Sequence, residues 1–159
     1  PKPTEPRRFF IHNTTGAALL LVRDIERQNM GLTLDFGHCL MATENPVQSA
    51  VLTGQEGKLF GVQLNDGFVK PGCEDGLALG TVHPRMTLEF IYWLQRYDYK
   101  GHIYFDTFPI NEDPVREAEY NIRLYKKWWK FASVLDEKGI GELLIKQDTM
   151  AILELLEGQ

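Results

Sequence analysis

Three short apolar runs each end in a residue able to bind a cation: Gly31-Leu-Thr-Leu-Asp35, Leu59-Phe-Gly-Val-Gln63 and His102-Ile-Tyr-Phe-Asp106. Two carboxylates and an amide oxygen are hard donors, and His38, three residues after Asp35, adds an imidazole. Oxygen ligands with one imidazole suit Mn²⁺, Mg²⁺ or Co²⁺ better than the thiolate-seeking zinc ion. A carboxylate buried at a strand end needs a cation or hydrogen-bond donors, so Asp35 and Asp106 are read as ligands in preference to helix caps. Gln63 divides evenly between coordination and bonding to backbone groups.

The runs are rich in Leu, Val, Ile and aromatic residues, the composition of strands buried in a parallel sheet. Each is followed by a loop and a helical pattern. The polar residues therefore share the C-terminal face of an α/β sheet, where barrels and open sheets of this class keep their chemistry. Thr14-Thr15 predicts a helix through Ile25 to near Asn29. Asn45-Pro46 and Asp113-Pro114 each place a cap residue before a proline at the first helical position, and another helix begins at Pro84. Val115, Ala118, Ile122, Tyr125, Trp129 and Ala132 recur as one apolar stripe, which accounts for Trp128 and Trp129 as core rather than cofactor contacts. A break at Gly139-Ile-Gly141 precedes a final amphipathic helix through Leu143 and Ile152. The glycine-rich connection from Asn65 to Pro84 is long for a compact domain, and such loops are usually functional. His12 and His83 fall in loops opening onto the same face and are candidate substrate contacts, whereas His102 starts its strand at the opposite end.

Composition narrows the function. A chain of 159 residues, 43% hydrophobic and 25% charged, supports one globular core. The formal net charge of -5 argues against a nucleic-acid partner, and the densest basic cluster, Lys126-Lys127 beside Trp128-Trp129-Lys130, lies in a core-facing helix. Nucleic acid is not an expected partner. Nor is a membrane, since no apolar run approaches the about 20 residues needed to span one. Cys39 and Cys73 form neither a disulfide framework nor a metal knuckle and read as buried thiols in a reducing cytoplasm. The opening Pro1-Lys-Pro-Thr-Glu-Pro-Arg7 does not read as a signal peptide.

That opening, with Asp35-Phe-Gly-His38, Lys58-Leu-Phe-Gly-Val-Gln-Leu-Asn65, Glu74-Asp-Gly-Leu77 and Tyr104-Phe-Asp106, resembles the xylose isomerase-like superfamily of metal-dependent sugar isomerases and ketose 3-epimerases. The resemblance runs to about Glu119. It implies parallel β/α units forming the C-terminal half of a (β/α)₈ barrel: a single partial domain, with the half-barrel over 1–136 and a C-terminal helical extension over 137–159. In the family the Pro-Lys-Pro segment follows a glutamate ligand at the end of the fifth strand, so the first four strands would be missing. The expectation is a truncated, inactive fragment that pairs with the missing N-terminal half or with another copy as a homo-oligomer.

By the same resemblance Asp35 bridges two ions, His38 is a ligand of the second, Asp106 is the ligand after the eighth strand, and Lys2 contacts a substrate oxygen. Lys2 and His38 are thus the implied catalytic residues, and Lys2, His12 and His83 the substrate contacts. Gln63 stands where the family places Asp or His. Glu74-Asp75-Gly76 replaces an Asp-x-Asp pair, leaving Glu74 as ligand and the second carboxylate absent or displaced to Asp75. The implied activity is aldose–ketose interconversion of a sugar in carbohydrate metabolism. A ketose 3-epimerase, a polyol dehydratase on the same barrel, and a non-catalytic structural half-barrel are the alternatives.

Overall fold

The computed structural model describes residues 12–71 and 74–157. Helix α1 (Thr15–Ile25) begins where Thr14 Oγ1 accepts from the Ala17 N–H at 3.3 Å. It stops short of Asn29 because Glu26 turns left-handed (φ 52°) and donates its N–H to the Arg23 carbonyl. The freed turn is tied down from outside: Lys58 Nζ donates to the carbonyls of Arg27 (3.0 Å) and Met30 (3.2 Å). The chain then enters β1 (Leu32–Asp35), α2 (Phe36–Met41), α3 (Pro46–Gln55), β2 (Leu59–Leu64), α4 (Pro84–Arg96), β3 (His102–Phe105) and α5 (Pro114–Glu137). Asn45 caps α3 by accepting from Val47 N at 2.8 Å, and Asp113 caps α5 by accepting from Arg116 N at 2.8 Å. Replacing Asn45 with Ala leaves that first turn's N–H unpaired, and urea denaturation should show a loss of about 1 kcal/mol.

The three strands form one parallel sheet in the order β1-β2-β3. Register fixes its two faces. Leu34, Val62 and Ile103 lie side by side, as do Leu64 and Phe105, and these point toward the helices. There they join Val47 and Ala50 of α3 and Phe90 and Leu94 of α4 in the main core. Phe36 meets Phe90 edge to face at 5.6 Å. The alternate residues make the other face: Thr33, Gly61 and His102 in one row, Asp35, Gln63 and Tyr104 in the next. This second face is largely open: Thr33, His102 and Tyr104 are exposed, Tyr104 to 56%, while Asp35 at its C-terminal end is buried.

Two expectations for the helices change. The stripe on α5 is turned by about one residue at its start: Val115 is 65% and Ile122 44% exposed, while Asn121 is fully buried. Further along, Tyr125, Trp128, Trp129, Ala132 and Leu135 do pack inward, and a side chain added at Gly80 would run into the Trp128 ring. The final helix is two, α6 (Ile140–Lys146) and α7 (Thr149–Glu157), because Gln147 adopts φ 55° and Asp148 Oδ1 accepts from Ala151 N at 3.1 Å, starting a fresh turn. Among the described residues no helix is long and apolar enough to cross a membrane.

Candidate metal centre

The Asp35-Phe-Gly-His38 segment leaves β1 and coils at once into α2, with Asp35 as its N-cap. Asp35 Oδ1 accepts from the His38 N–H at 2.9 Å. One helical turn thus brings the His38 ring over the same carboxyl group, with Nδ1 at 3.9 Å from Oδ2. Cap and ligand readings do not compete here. Oδ1 serves the helix, and Oδ2 is buried with no hydrogen-bond partner.

The third member arrives from the long loop: Glu74 Oε2 lies 3.0 Å from His38 Nε2, and its Oε1 is also buried without a partner. Asp35, His38 and Glu74 each offer a ligand atom within 4.8 Å of the others. Burial holds the Asp35 carboxyl above the usual carboxylate range, and the charges of Glu74 and Asp106 add to the rise. The His38 ring and the His38 N–H oppose it. Buried carboxylates crowded together, with two oxygens unspent, present the donor set of a divalent cation site.

Gln63 stands directly beside Asp35 in the ladder, on the open face. Asp106 follows β3, its N–H continuing the ladder to the Leu64 carbonyl at 3.1 Å. It bears on the charge of Asp35 but lies outside the 4.8 Å group. Asp75, the alternative place for the second carboxylate, is engaged inside the loop: Oδ2 accepts from Phe68 N at 2.7 Å and Oδ1 meets Lys70 Nζ at 3.2 Å. Gly76, two positions after Glu74, has φ 59°, and a side chain there would run into the Phe108 ring.

Lys2, the expected substrate contact, lies outside the described residues, as does Cys73. His12 Nδ1 is buried without a partner and His12 is not in the group of three. His83 also stands apart, at the start of α4 with Nδ1 at 2.9 Å from Asp66 Oδ1. Cys39 is a buried free thiol that burial pushes up to about 12, so it is not poised as a nucleophile.

Sequence reasoning passed over Asn65 and Asp66, both completely buried or nearly so. Asp66 pairs both backbone groups with Leu77, at 2.9 and 2.8 Å. Its carboxylate accepts from the N–H groups of Gly67, Val82 and His83, each at 2.8 Å, besides the His83 ring. The neck of the loop carrying Glu74 is thereby closed. The only sequence signal was the Asn65-Asp66-Gly67 triplet, which reads as a turn.

A parallel β/α layer with a carboxylate–imidazole group at the C-terminal ends of its strands is one sector of a barrel with its chemistry in the usual place. No family model matches the chain. It is 31% identical over 107 residues to the xylose isomerases of Thermus thermophilus and Thermus caldophilus, a stretch covering 67% of this chain and 27% of each relative. A solved structure described as a D-tagatose 3-epimerase-like protein superposes with a TM-score of 0.63 at 20% identity, over 83% of this chain and 46% of that one. The two xylose isomerase matches support the xylose isomerase-like superfamily for this chain, and the superposed structure shows the shared fold. It spans about a quarter of the length of the curated relatives that it matches.

Proposed function

We propose that this chain is the metal-bearing sector of a divalent-cation-dependent sugar isomerase that interconverts an aldose and a ketose. One observation carries the reading: Asp35 Oδ2 and Glu74 Oε1, buried without partners, flank His38 at the C-terminal end of the sheet. Asp35, His38 and Glu74 would hold the ion, with Gln63 and Asp106 supplying further oxygens from the neighbouring strands. When bound, Mn²⁺, Mg²⁺ or Co²⁺ would polarise adjacent sugar oxygens and stabilise charge while hydrogen moves between neighbouring carbons. Burial of Asp35 keeps its free oxygen out of water, and the helix cap fixes the direction in which it points. The sugar would lie over the open face, along the row of Gln63 and Tyr104. Lys2 is the candidate contact to the substrate's carbonyl or hydroxyl oxygen, on the family resemblance alone.

We read the chain as one part of the barrel because its three-stranded sheet has a largely open face and two unpaired edges among the described residues. Alone it would then be inert and would associate with the remaining strands or with a second copy. The reading is tested by adding MnCl₂ to the chain and following the ion by electron paramagnetic resonance, then assaying aldose–ketose conversion in the protein with a completed barrel. One bound ion per chain, and turnover that stops after EDTA treatment and returns with the cation, are expected. Turnover that survives exhaustive EDTA treatment, with no metal by elemental analysis, would overturn it.

A further inference from the structure

The side chain of Asn65 joins the ends of all three strands at the candidate centre. It is fully buried. Its Oδ1 accepts from the Gly37 N–H at 2.7 Å, inside the turn between Asp35 and His38. Its Nδ2 donates to the Asp106 carbonyl at 3.0 Å and to Asp35 Oδ1 at 3.4 Å. Segments carrying three candidate ligands, from two strand ends and one helix, are thus tied to one amide just past the end of the strand between them. The fit is close, since a Cβ added to Gly37 would come within 2.6 Å of Asn65 Oδ1 and 3.0 Å of Nδ2.

We propose that Asn65 is the positioning residue of the metal centre, setting the spacing of Asp35, His38 and Asp106 without itself touching the ion. The proposal rests on the reading of that cluster as a metal site. An amide suits the task because it donates and accepts at once: it satisfies a buried N–H and a buried C=O while adding no charge beside Asp35. A carboxylate in its place would lose the donor to Asp106 and Asp35 and add a further negative charge. Groups that orient ligands from behind change metal affinity by about 10–100-fold when removed.

The experiment measures Mn²⁺ affinity and the linewidth of the bound-ion resonance in the intact chain and in Asn65→Ala, with thermal unfolding of the metal-free forms alongside. Thr53→Val is the control: Thr53 is equally buried, and its hydroxyl bonds the Ser49 and Ala50 carbonyls within α3, away from the cluster. The expected result is an at least roughly tenfold loss of affinity and a broadened resonance in Asn65→Ala, with Thr53→Val binding as the parent chain does although it is less stable. If Asn65→Ala binds Mn²⁺ normally, or if both variants lose affinity alike, Asn65 is only a structural residue and the proposal fails. If the parent chain binds no Mn²⁺, the metal reading itself fails and the proposal with it. Should Asn65→Ala not fold, Gly37→Ala displaces the same amide from the other side. Weakened binding there supports the proposal, and unchanged binding overturns it.

Discussion

Asp35→Asn should lower Mn²⁺ affinity by about 100-fold or more, beyond what loss of an orienting group costs, and should at the same time stabilise the metal-free chain at neutral pH. The first effect follows from Oδ2, the buried oxygen with no protein partner. An amide nitrogen in that place cannot coordinate. The second follows from the raised pKa of Asp35, caused first by burial and then by the neighbouring Glu74 and Asp106 charges. A carboxyl group that holds its proton more tightly when folded gives a folded state richer in protons across that window. Stability of the metal-free chain then falls as pH rises from the unfolded pKa through the folded one. Asn carries no charge and still caps α2 through its side-chain oxygen, so the variant should lack this decline. Thermal unfolding of both forms from weakly acidic to neutral pH, with and without Mn²⁺, checks both halves. The parent chain should recover its neutral-pH loss when the ion is added, and the variant should not respond.

Asp66→Ala is expected to cost about 3 kcal/mol or more in urea denaturation, because four N–H donors lose one buried, charged acceptor. The damage should be directional. With the neck of the loop opened, proteolysis between residues 67 and 82 should accelerate well before the helices are cut, and Mn²⁺ affinity should drop because Glu74 is carried within that span. Asp66→Asn keeps the volume but turns an amide N–H₂ or a single oxygen toward donors on both sides, so it should recover only part of the loss. The backbone pairing with Leu77 survives in both variants and should keep the loop from detaching entirely. A variant with normal urea midpoint and unchanged loop cleavage would show that the carboxylate is not what closes the neck.

Local punctuation made much of this architecture readable. Asn45-Pro46 and Asp113-Pro114 act through their own backbone neighbours, so the caps appear where the sequence places them. The three strand ends are legible to within one residue, since an apolar run that stops at a polar residue carries its own boundary; β2 runs on to Leu64 and β3 stops at Phe105. Helix α2 was not, because Phe36–Met41 is too short to display a 3.6-residue period. The turn of the α5 stripe escaped for a different reason. Val115 and Ile122 are apolar and correctly spaced, but Asn121 finds a buried partner in the Leu79 N–H at 2.9 Å, 42 residues away. Within the site, Asp35 and His38 declared themselves by an i, i+3 spacing. Asn65 and Asp66 acquire their parts largely from groups that the fold brings to them, Asn65 at separations of 28 to 41 residues and Asp66 at 16 and 17. Glu74 is placed through family resemblance, and Asp75 spends its carboxylate on Phe68 N and Lys70.

The contact between Gly76 and the Phe108 ring bears on how such a chain could change over time. Asp at position 76 would supply the second carboxylate that the family resemblance implies, yet it would meet the aromatic ring and take up a left-handed backbone at once. Trimming Phe108 first removes a ring that is already 47% exposed. The route is therefore ordered: Phe108 must shrink before Gly76 can gain a side chain. Lineages of this sector that keep an aromatic residue at 108 should be locked to glycine at 76, and a second carboxylate should occur only alongside a small residue there.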